Sequence, residues 1–161
     1  MKNKILKLLR ENARMDSTEI ARRCEIGTAE VEKMIGELES SGVICGYTAV
    51  TNDFVVPGHT QVKALIEIKV TPRRDGGFDQ VAQRIAKFPE VTDLILLSGS
   101  YDLLLTIQGE TLQEVANFVA EKLATIDGVI STSTGFMLRK YKESGRIMQN
   151  DENYERLKIC F

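Results

Sequence analysis

The chain has 161 residues, of which 43% are apolar and 27% charged, and it contains 12 glycines, 3 prolines and no tryptophan. This composition is typical of one or two small globular domains and excludes disordered and fibrous proteins. The chain has 21 Lys and Arg and 23 Asp and Glu, so its formal net charge is −2. This charge excludes a strongly basic surface, and the protein could bind a nucleic acid only through a local cluster of positive charges.

The first part of the chain has the apolar spacing of three successive helices. A first helix is predicted to end near Glu11. Asp16, with a carboxylate three residues later, predicts the N-cap of a second helix that runs to Cys24. A third helix is predicted over residues 28–41 and ends at Gly42. The apolar residues that carry these predictions are Ile5, Leu8, Leu9, Ile20, Ala21, Val31, Ile35 and Leu38.

The short connection between the second and third helices indicates a helix-turn-helix arrangement. A three-residue turn that contains Gly27 joins them, an earlier helix braces them, and Val43–Ile44 is predicted as a short strand after them. This order predicts a helix-turn-helix with a minimal wing, in which the third helix is presented to DNA. The same spacing also fits a small unit of three packed helices that does not bind DNA.

A second domain is predicted after a linker at residues 51–61, which contains Asn, Asp, Pro and Gly. Its pattern is βαβ repeated twice, which predicts a ferredoxin-like α+β domain with both helices on one face of an antiparallel sheet. The predicted strands are residues 62–70, 91–97, 103–107 and 129–138. The predicted helices are one that begins at residue 78 and ends before Pro89, and one over residues 112–123. The apolar side of the second helix is predicted to consist of Leu112, Val115, Ala116, Val119 and Leu123.

The other face of this sheet is predicted to be apolar. Residues 94–97 and 103–105 are runs of Leu and Ile that do not alternate with polar residues, so their strands carry apolar side chains on both faces. Four or five exposed Leu and Ile residues exceed what a soluble monomer usually tolerates. Since covering apolar surface contributes roughly 25 cal/mol per Å², the pattern predicts a homodimer built by this domain.

Several protein classes are not supported by the sequence. No stretch is apolar enough to cross a bilayer and the N-terminus is too charged for a signal peptide, so we expect a cytoplasmic protein without a membrane partner. The three cysteines, Cys24, Cys45 and Cys160, lack the spacing of a disulfide framework or zinc site, and no metal or cofactor is predicted. His59 is the only histidine and no catalytic motif is present, so no enzyme is predicted.

An N-terminal helix-turn-helix before a single ferredoxin-like domain resembles the Lrp/AsnC family of bacterial and archaeal transcription regulators. The likeness covers nearly the whole chain, and its most specific part is the distance between a Gly-Val-Ile-x-Gly-Tyr junction and a Gly-x-Tyr-Asp hairpin. The stretches that carry it are Ile20-Ala21, Val31 to Ile35 with Leu38-Glu39 and Gly42-Val43-Ile44, Gly46-Tyr47-Thr48-Ala49-Val50, and Gly99-Ser100-Tyr101-Asp102 followed by Leu103-Leu104-Leu105.

The resemblance implies a dimeric, often octameric regulator that binds double-stranded DNA and senses a small molecule, commonly an amino acid, between subunits. It implies a winged helix-turn-helix DNA-binding domain at residues 1–50, a linker at 51–61, a ferredoxin-like effector-binding and oligomerisation domain of the RAM type at 62–140, and a C-terminal tail at 141–161.

The predicted recognition helix departs from the basic character usual in this family. It contains four glutamates, Lys33 is its only cation, and Met34 stands where an arginine is common. We therefore expect DNA binding that is weak, strongly salt-sensitive or dependent on avidity. Phosphate contacts are expected from Ser17, Thr18, Arg22 and Arg23, and contacts near the bases from Thr28, Glu32 and Lys33. The alternative for Arg22 and Arg23 is that they are merely solvated.

The segment Gly99-Ser100-Tyr101-Asp102 allows two interpretations. It is a hairpin turn in which Gly99 supplies unusual dihedral angles and Asp102 satisfies its own backbone. Alternatively, the N–H groups of Gly99 and Ser100 bind an α-carboxylate, while Asp102 or a threonine of the last strand binds an α-ammonium group; the resemblance favours this one. The predicted effector-binding residues are Ser98, Gly99, Ser100, Tyr101, Asp102, Thr132 and Thr134.

Two further function classes stay open. An amino-acid-sensing or heteromeric partner of the same family, with weak or no DNA binding, is consistent with the acidic recognition helix. Some proteins of this fold are haem-pathway decarboxylases, but their substrate would require several clustered His and Arg residues. In the tail, Leu157, Ile159 and Phe161 alternate like an added edge strand, and disorder is the competing interpretation.

Overall fold

The computed structural model describes residues 1–56, 58, 61–72 and 77–148. The chain divides into two compact units, Met1–Thr51 and Asn52–Phe161, and each unit has its own apolar core.

The N-terminal unit consists of three helices, α1 (Lys2–Glu11), α2 (Ser17–Cys24) and α3 (Thr28–Ser40). The carboxylate of Asp16 accepts a hydrogen bond from the Glu19 N–H at 2.7 Å, so the predicted N-cap of α2 is confirmed. The core that holds the helices together consists of Ile5, Leu8, Leu9, Ile20, Ala21, Cys24 and Val31, with Met15, Ile26, Met34, Ile35 and Ile44 packed against it.

The chain after α3 does not form the short strand predicted at Val43–Ile44. Residues 1–51, all of which the structure describes, contain no strand, so that detail of the prediction is wrong. Gly42 has φ +72°, and the Ile44 N–H donates to the Leu38 carbonyl at 3.0 Å. Ile44 is half-buried against the helical core, so the end of α3 satisfies this backbone donor instead of a neighbouring strand.

The C-terminal unit contains the predicted ferredoxin-like arrangement. Its sheet has the strand order β2-β3-β1-β4, and every neighbouring pair is antiparallel. Helix α4 follows β1 and helix α5 follows β3, and both pack on the same side of the sheet. The strands and helices are β1 (Val62–Val70), α4 (Asp79–Ile85), β2 (Val91–Leu96), β3 (Leu103–Gly109), α5 (Leu112–Asn117, continued by a wider helical turn over Phe118–Leu123) and β4 (Val129–Phe136).

The buried side of α5 differs from the prediction. Leu112 is 57% exposed and Ala116 is exposed, whereas Phe118, which was not predicted, is buried. The buried side runs through Val115 and Phe118, which are three residues apart, and Ala116 lies beside it. The wider turn follows, with the Ala124 N–H donating to the carbonyl of Val119, five residues earlier, at 2.9 Å, and Leu123 is buried again.

The face of the sheet opposite to the helices carries Leu and Ile residues, as predicted. Pairing places Ile95 beside Leu104, and Leu104 beside Glu67, on this face. Leu96 pairs with buried Leu103 and therefore lies on the helix side, whereas Leu97, whose N–H donates to the Asp102 carbonyl, lies on the open face. The open face thus carries four Leu and Ile residues, which are Leu65, Ile95, Leu97 and the half-buried Leu104, and we call them the open-face patch.

A short hairpin follows the sheet where the sequence predicted only a tail. Its strands are β5 (Lys142–Glu143) and β6 (Arg146–Ile147), and Ser144 and Gly145 between them have φ of 46° and 79°. Positive φ at both central residues is the geometry of a tight hairpin turn. The edge strand predicted from Leu157, Ile159 and Phe161 lies outside the described residues.

Gly128 is a backbone position at which a side chain should be costly. Its φ is +99°, and a Cβ atom there would lie 3.2 Å from Cγ2 of the buried Val81. We expect Gly128→Ala to lower the free energy of unfolding of the sheet unit by about 1 to 3 kcal/mol, as measured by urea denaturation.

Gly99→Ala is the matched control, because Gly99 has ordinary φ and no neighbouring atom within 4 Å of the place that a Cβ atom would take. It should change the stability of the same unit by less than about 0.5 kcal/mol. Equal effects of the two substitutions would contradict this account of Gly128.

Candidate DNA-binding and effector-binding sites

Helix α3 presents a stripe of small residues on the side opposite to its core contacts. Val31 and Leu38 are buried, and at about 100° per residue the opposite side contains only one charged residue, Lys33. Thr28 is half-buried at the start of the helix and Glu32 is exposed beside the stripe. The exposed residues of the stripe are Ala29, Lys33, Gly36 and Ser40.

Two of the four glutamates of α3 have partners within their own unit. Glu37 forms an ion pair of 2.8 Å with Lys2, and the hydroxyl of Tyr47 donates to Glu39 at 2.9 Å. The Lys2 ammonium lowers the pKa of Glu37, while burial and the Glu39 carboxylate raise the pKa of Tyr47. The Lys2 ammonium therefore offsets the charge of Glu37, whereas the Tyr47 hydroxyl brings no positive charge to Glu39. The remaining exposed carboxylates of the helix are those of Glu30 and Glu32.

Arg22 and Arg23 both bind the carboxylate of Glu19, one turn earlier on α2. Nε and a terminal nitrogen of Arg22 donate to Glu19 at 2.9 and 2.8 Å, and Nε of Arg23 donates to it at 2.6 Å. The two guanidinium groups lower the pKa of Glu19 to about 2. The side chains of Arg22 and Arg23 are 74% and 45% exposed, so both remain accessible although neither is a free solvated cation. We call this group the Glu19 cluster.

The other predicted phosphate ligands lie at the start of α2. Ser17 is half-buried and Thr18 is exposed, and the Asp16 carboxylate caps the N–H of Glu19 rather than theirs. Helix α3 begins after Gly27, without a side-chain cap from the described residues. The first N–H groups of a helix that lack a cap are suited to bind an anion, which applies to those of α3.

Asp102 fixes the loop between β2 and β3 to the end of β1. Its N–H donates to the Ile68 carbonyl at 2.9 Å, and its carboxylate accepts from the Val70 N–H at 2.8 Å and from the Lys69 ammonium at 3.3 Å. Its carbonyl accepts from the Leu97 N–H at 2.8 Å, which closes the loop. The Val70 hydrogen bond, assisted by Lys69, lowers the pKa of Asp102.

This geometry corrects the structural interpretation of the hairpin. Gly99 does not have positive φ, and Asp102 satisfies the backbone of β1 instead of its own. Ser98, Gly99 and Ser100 are exposed and Tyr101 is half-buried. The N–H groups of Gly99 and Ser100 donate to no group in the part of the chain that the structure describes, and they are free to bind an anionic ligand.

The two predicted threonines lie on β4, on the far side of β1 from the loop. Thr132 pairs with Ile68, whose carbonyl accepts the Asp102 N–H, and Thr134 pairs with Ile66, further from the loop. Two strand spacings separate Thr132 from the loop, or about 10 Å. One subunit therefore places the loop and Thr132 at the same end of the sheet but leaves β1 between them.

A cleft that sequence analysis did not find lies at the opposite end of β3. It has a volume of about 260 Å³, and its floor contains Ile107, Val115 and Phe118. At its rim Lys122 forms an ion pair with Glu90, which lowers the pKa of that carboxyl group. The pair is separated by 32 positions in the sequence, so no local pattern could have revealed it.

The described residues meet neither the requirements of a metal site nor those of a membrane-spanning helix. No group of three or more potential metal ligands occurs among them, and none of the helices in this part of the chain is long and apolar enough to cross a membrane.

The two structural units correspond to two known domain families. Residues 63–147 match the Lrp/AsnC ligand binding domain, which is more than half of the chain, and residues 2–44 match a winged helix-turn-helix DNA-binding domain. The chain belongs to the Lrp/AsnC family. This membership confirms the predicted fold class and identifies the chain as a DNA-binding transcriptional regulator with a ligand-binding domain, and not as an enzyme.

Individual members of the Lrp/AsnC family are similar along most of the chain. The HTH-type transcriptional regulator YugG of Bacillus subtilis is 43% identical over 155 residues, which cover 96% of this chain and 93% of YugG. The regulator PH0140 of Pyrococcus horikoshii is 35% identical, covering 83% and 81%. Among solved structures, the NMB0573/L-Met complex of Neisseria meningitidis is 26% identical with a TM-score of 0.66, covering 88% and 90%.

Asp102 should stabilise this Lrp/AsnC regulator in a pH-dependent way. Because its pKa is lowered in the folded protein, its contribution is present above the ordinary value of 3.8 and is lost as the pH falls through the folded value. We expect Asp102→Asn to lower the melting temperature of the sheet unit at pH 7, and the difference from the original protein to shrink below about pH 4.

Asp93→Asn serves as the control, since Asp93 is exposed on β2 and its carboxylate accepts from the hydroxyl of Thr92. It should have little effect at any pH. A difference for Asp102→Asn that stays constant from neutral to strongly acidic solution would argue against the charge of Asp102 as the cause.

Proposed function

We propose that this Lrp/AsnC regulator acts in the cytoplasm as a homodimer, with further assembly up to an octamer. The single observation that carries the proposal is the open-face patch of Leu65, Ile95, Leu97 and Leu104 on a sheet whose helices α4 and α5 both lie on the other side. Pairing of two such faces removes this apolar surface from water. It also yields two recognition helices related by a two-fold axis, as a pseudo-palindromic DNA site requires.

The proposed DNA contacts follow from exposure and position on the helices. Phosphates are bound by Ser17 and Thr18 at the start of α2 and by Arg22 and Arg23 at its end. Thr28, Glu32 and Lys33 on α3 lie nearest the bases. A lysine in this position pairs with guanine in the major groove, and a glutamate accepts from the amino group of cytosine.

The proposed effector is an amino acid that binds at the loop between β2 and β3. The exposed N–H groups of Gly99 and Ser100 bind its α-carboxylate, with Ser98 and Tyr101 beside them. Asp102 already binds β1, so its first task is to hold the loop in place. The complex of the Neisseria relative with L-Met supports an amino acid as the class of effector.

The α-ammonium group of the effector requires further partners. Thr132 and Thr134 lie beyond β1 within one subunit, so a site between subunits brings such groups to the loop more readily than one subunit does. An effector bound between subunits favours the assemblies that contain its complete site. Effector binding is thereby linked to the spacing of the recognition helices.

A second candidate function is an amino-acid-sensing or heteromeric partner with weak or no DNA binding. The exposed carboxylates of Glu30 and Glu32 on α3 favour it, because each opposes the phosphate backbone. The two candidates differ in one observable property, the retention of DNA by the pure protein.

A gel-shift assay with genomic fragments at low and moderate salt, with and without a panel of amino acids, separates the two functions. We expect retention that weakens steeply with salt and changes with one amino acid. Ser100→Pro, which removes the loop N–H, should abolish the amino-acid response and keep basal retention. Ser100→Ala keeps that N–H and should respond as the original protein does.

Two outcomes of this assay contradict parts of the proposal. Absence of retention at every salt concentration, from a folded protein, would support the DNA-independent sensor. An unchanged amino-acid response in Ser100→Pro would remove the loop from the effector site.

A further inference from the structure

Glu19 lies between the two arginines on the solvent-facing side of α2. Residues three and four positions apart share one face of a helix, and the spacing of Glu19, Arg22 and Arg23 is i, i+3 and i+4. The apolar residues Ile20, Ala21 and Cys24 occupy the buried side. The Glu19 cluster thus forms one surface of two guanidinium groups around a single carboxylate, with donor distances of 2.6 to 2.9 Å.

The carboxylate occupies the same donor groups that a DNA phosphate would use. Arg22 directs two N–H groups to the two Glu19 oxygens, which is the paired geometry that arginine also offers to phosphate. A phosphate that binds these donors must displace Glu19, and the displaced carboxylate then lies beside a second negative group. Because the cluster is exposed, the exchange requires no unfolding of α2.

We propose that Glu19 competes with DNA phosphate for Arg22 and Arg23 and thereby limits the binding of DNA irrespective of its sequence. The inference rests on the proposed phosphate contacts of these two arginines. Non-specific affinity comes almost entirely from phosphate contacts, so an internal competitor for two of the phosphate ligands lowers it. Since an operator is bound through the same phosphate contacts, its affinity is lowered by a similar factor, while the base contacts on α3 are unaffected.

The test compares full-length Glu19→Gln with the original protein on a mixed-sequence duplex of about 30 base pairs, by fluorescence anisotropy over a range of salt concentrations. Glutamine preserves the size of the side chain and removes its charge. We expect binding about 2- to 10-fold tighter at low salt, since exposed ion pairs are individually weak. The slope of log K against log salt should become steeper by up to about 1 for each arginine released.

Glu25→Gln is the matched charge control. Glu25 is exposed at the end of α2 and forms no ion pair with the described residues, so its substitution removes one negative charge without freeing an arginine. Arg22→Gln with Arg23→Gln, in the Glu19→Gln background, should cancel the gain in affinity. Thermal unfolding of each variant checks that the helical unit is intact.

The outcomes separate this inference from the proposed function on which it rests. If Glu19→Gln binds no more tightly than Glu25→Gln, while the arginine substitutions weaken binding, only the role of Glu19 is overturned. If the arginine substitutions leave binding unchanged, the proposed phosphate contacts themselves fail, and the role of Glu19 fails with them. Weaker binding by Glu19→Gln would show that the carboxylate positions the arginines instead of competing for them.

Discussion

The two helices of the C-terminal unit cover the same face of its sheet. The opposite face therefore keeps apolar residues that these helices do not bury, and the proposed dimer depends on that face. Connections between parallel strands of one sheet are right-handed, so two interleaved βαβ units place both helices on one side. The central strand β1 buries Ala64, Ile66 and Ile68 against them. Neither of these two helices covers the other side of the sheet.

The open face of the sheet is suited to specific association rather than to non-specific aggregation. The open-face patch shares its face with Lys63, Glu67 and Lys69 of β1, so the surface combines a small apolar area with charged groups. A mixed surface of this kind limits aggregation and restricts the relative orientation of two copies. A fixed orientation is what a DNA-binding dimer needs, because its recognition helices must match the helical repeat of DNA.

The loop between β2 and β3 depends on the same central strand. Asp102 joins the loop to the end of β1 through both its backbone and its carboxylate. The free N–H groups of Gly99 and Ser100 are therefore held on a short, anchored loop, which lowers the cost of ordering them around a ligand. In the proposed function, ligand binding at this loop is linked through β1 to the packing of the sheet.

Sequence patterns predicted the parts of the fold that depend on local periodicity and capping. The alternation of β1 and the cap at Asp16 are such signals, and both correspond to observed elements. The prediction for α5 was wrong at Phe118 and Ala116, because periodicity alone did not fix which of two adjacent helical rows faces the sheet.

The sites show the same difference between local and long-range signals. The Glu19 cluster has a local signal in the sequence, which is the i, i+3 and i+4 spacing of Glu19, Arg22 and Arg23. The hydrogen bond that the Val70 N–H donates to the Asp102 carboxylate joins residues 32 positions apart in the sequence. These residues are close together only because of the order of the strands in the sheet. Long-range pairing of this kind cannot be obtained from the periodicity of one sequence.

Sedimentation velocity of the full-length protein at micromolar concentration tests the central claim most directly, because the proposed function places a second copy on the open face. The account predicts a particle of twice the chain mass of 18.0 kDa or an even multiple of it, and partial dissociation when Ile95 is replaced by Glu. A folded single subunit as the main species of the original protein would contradict it.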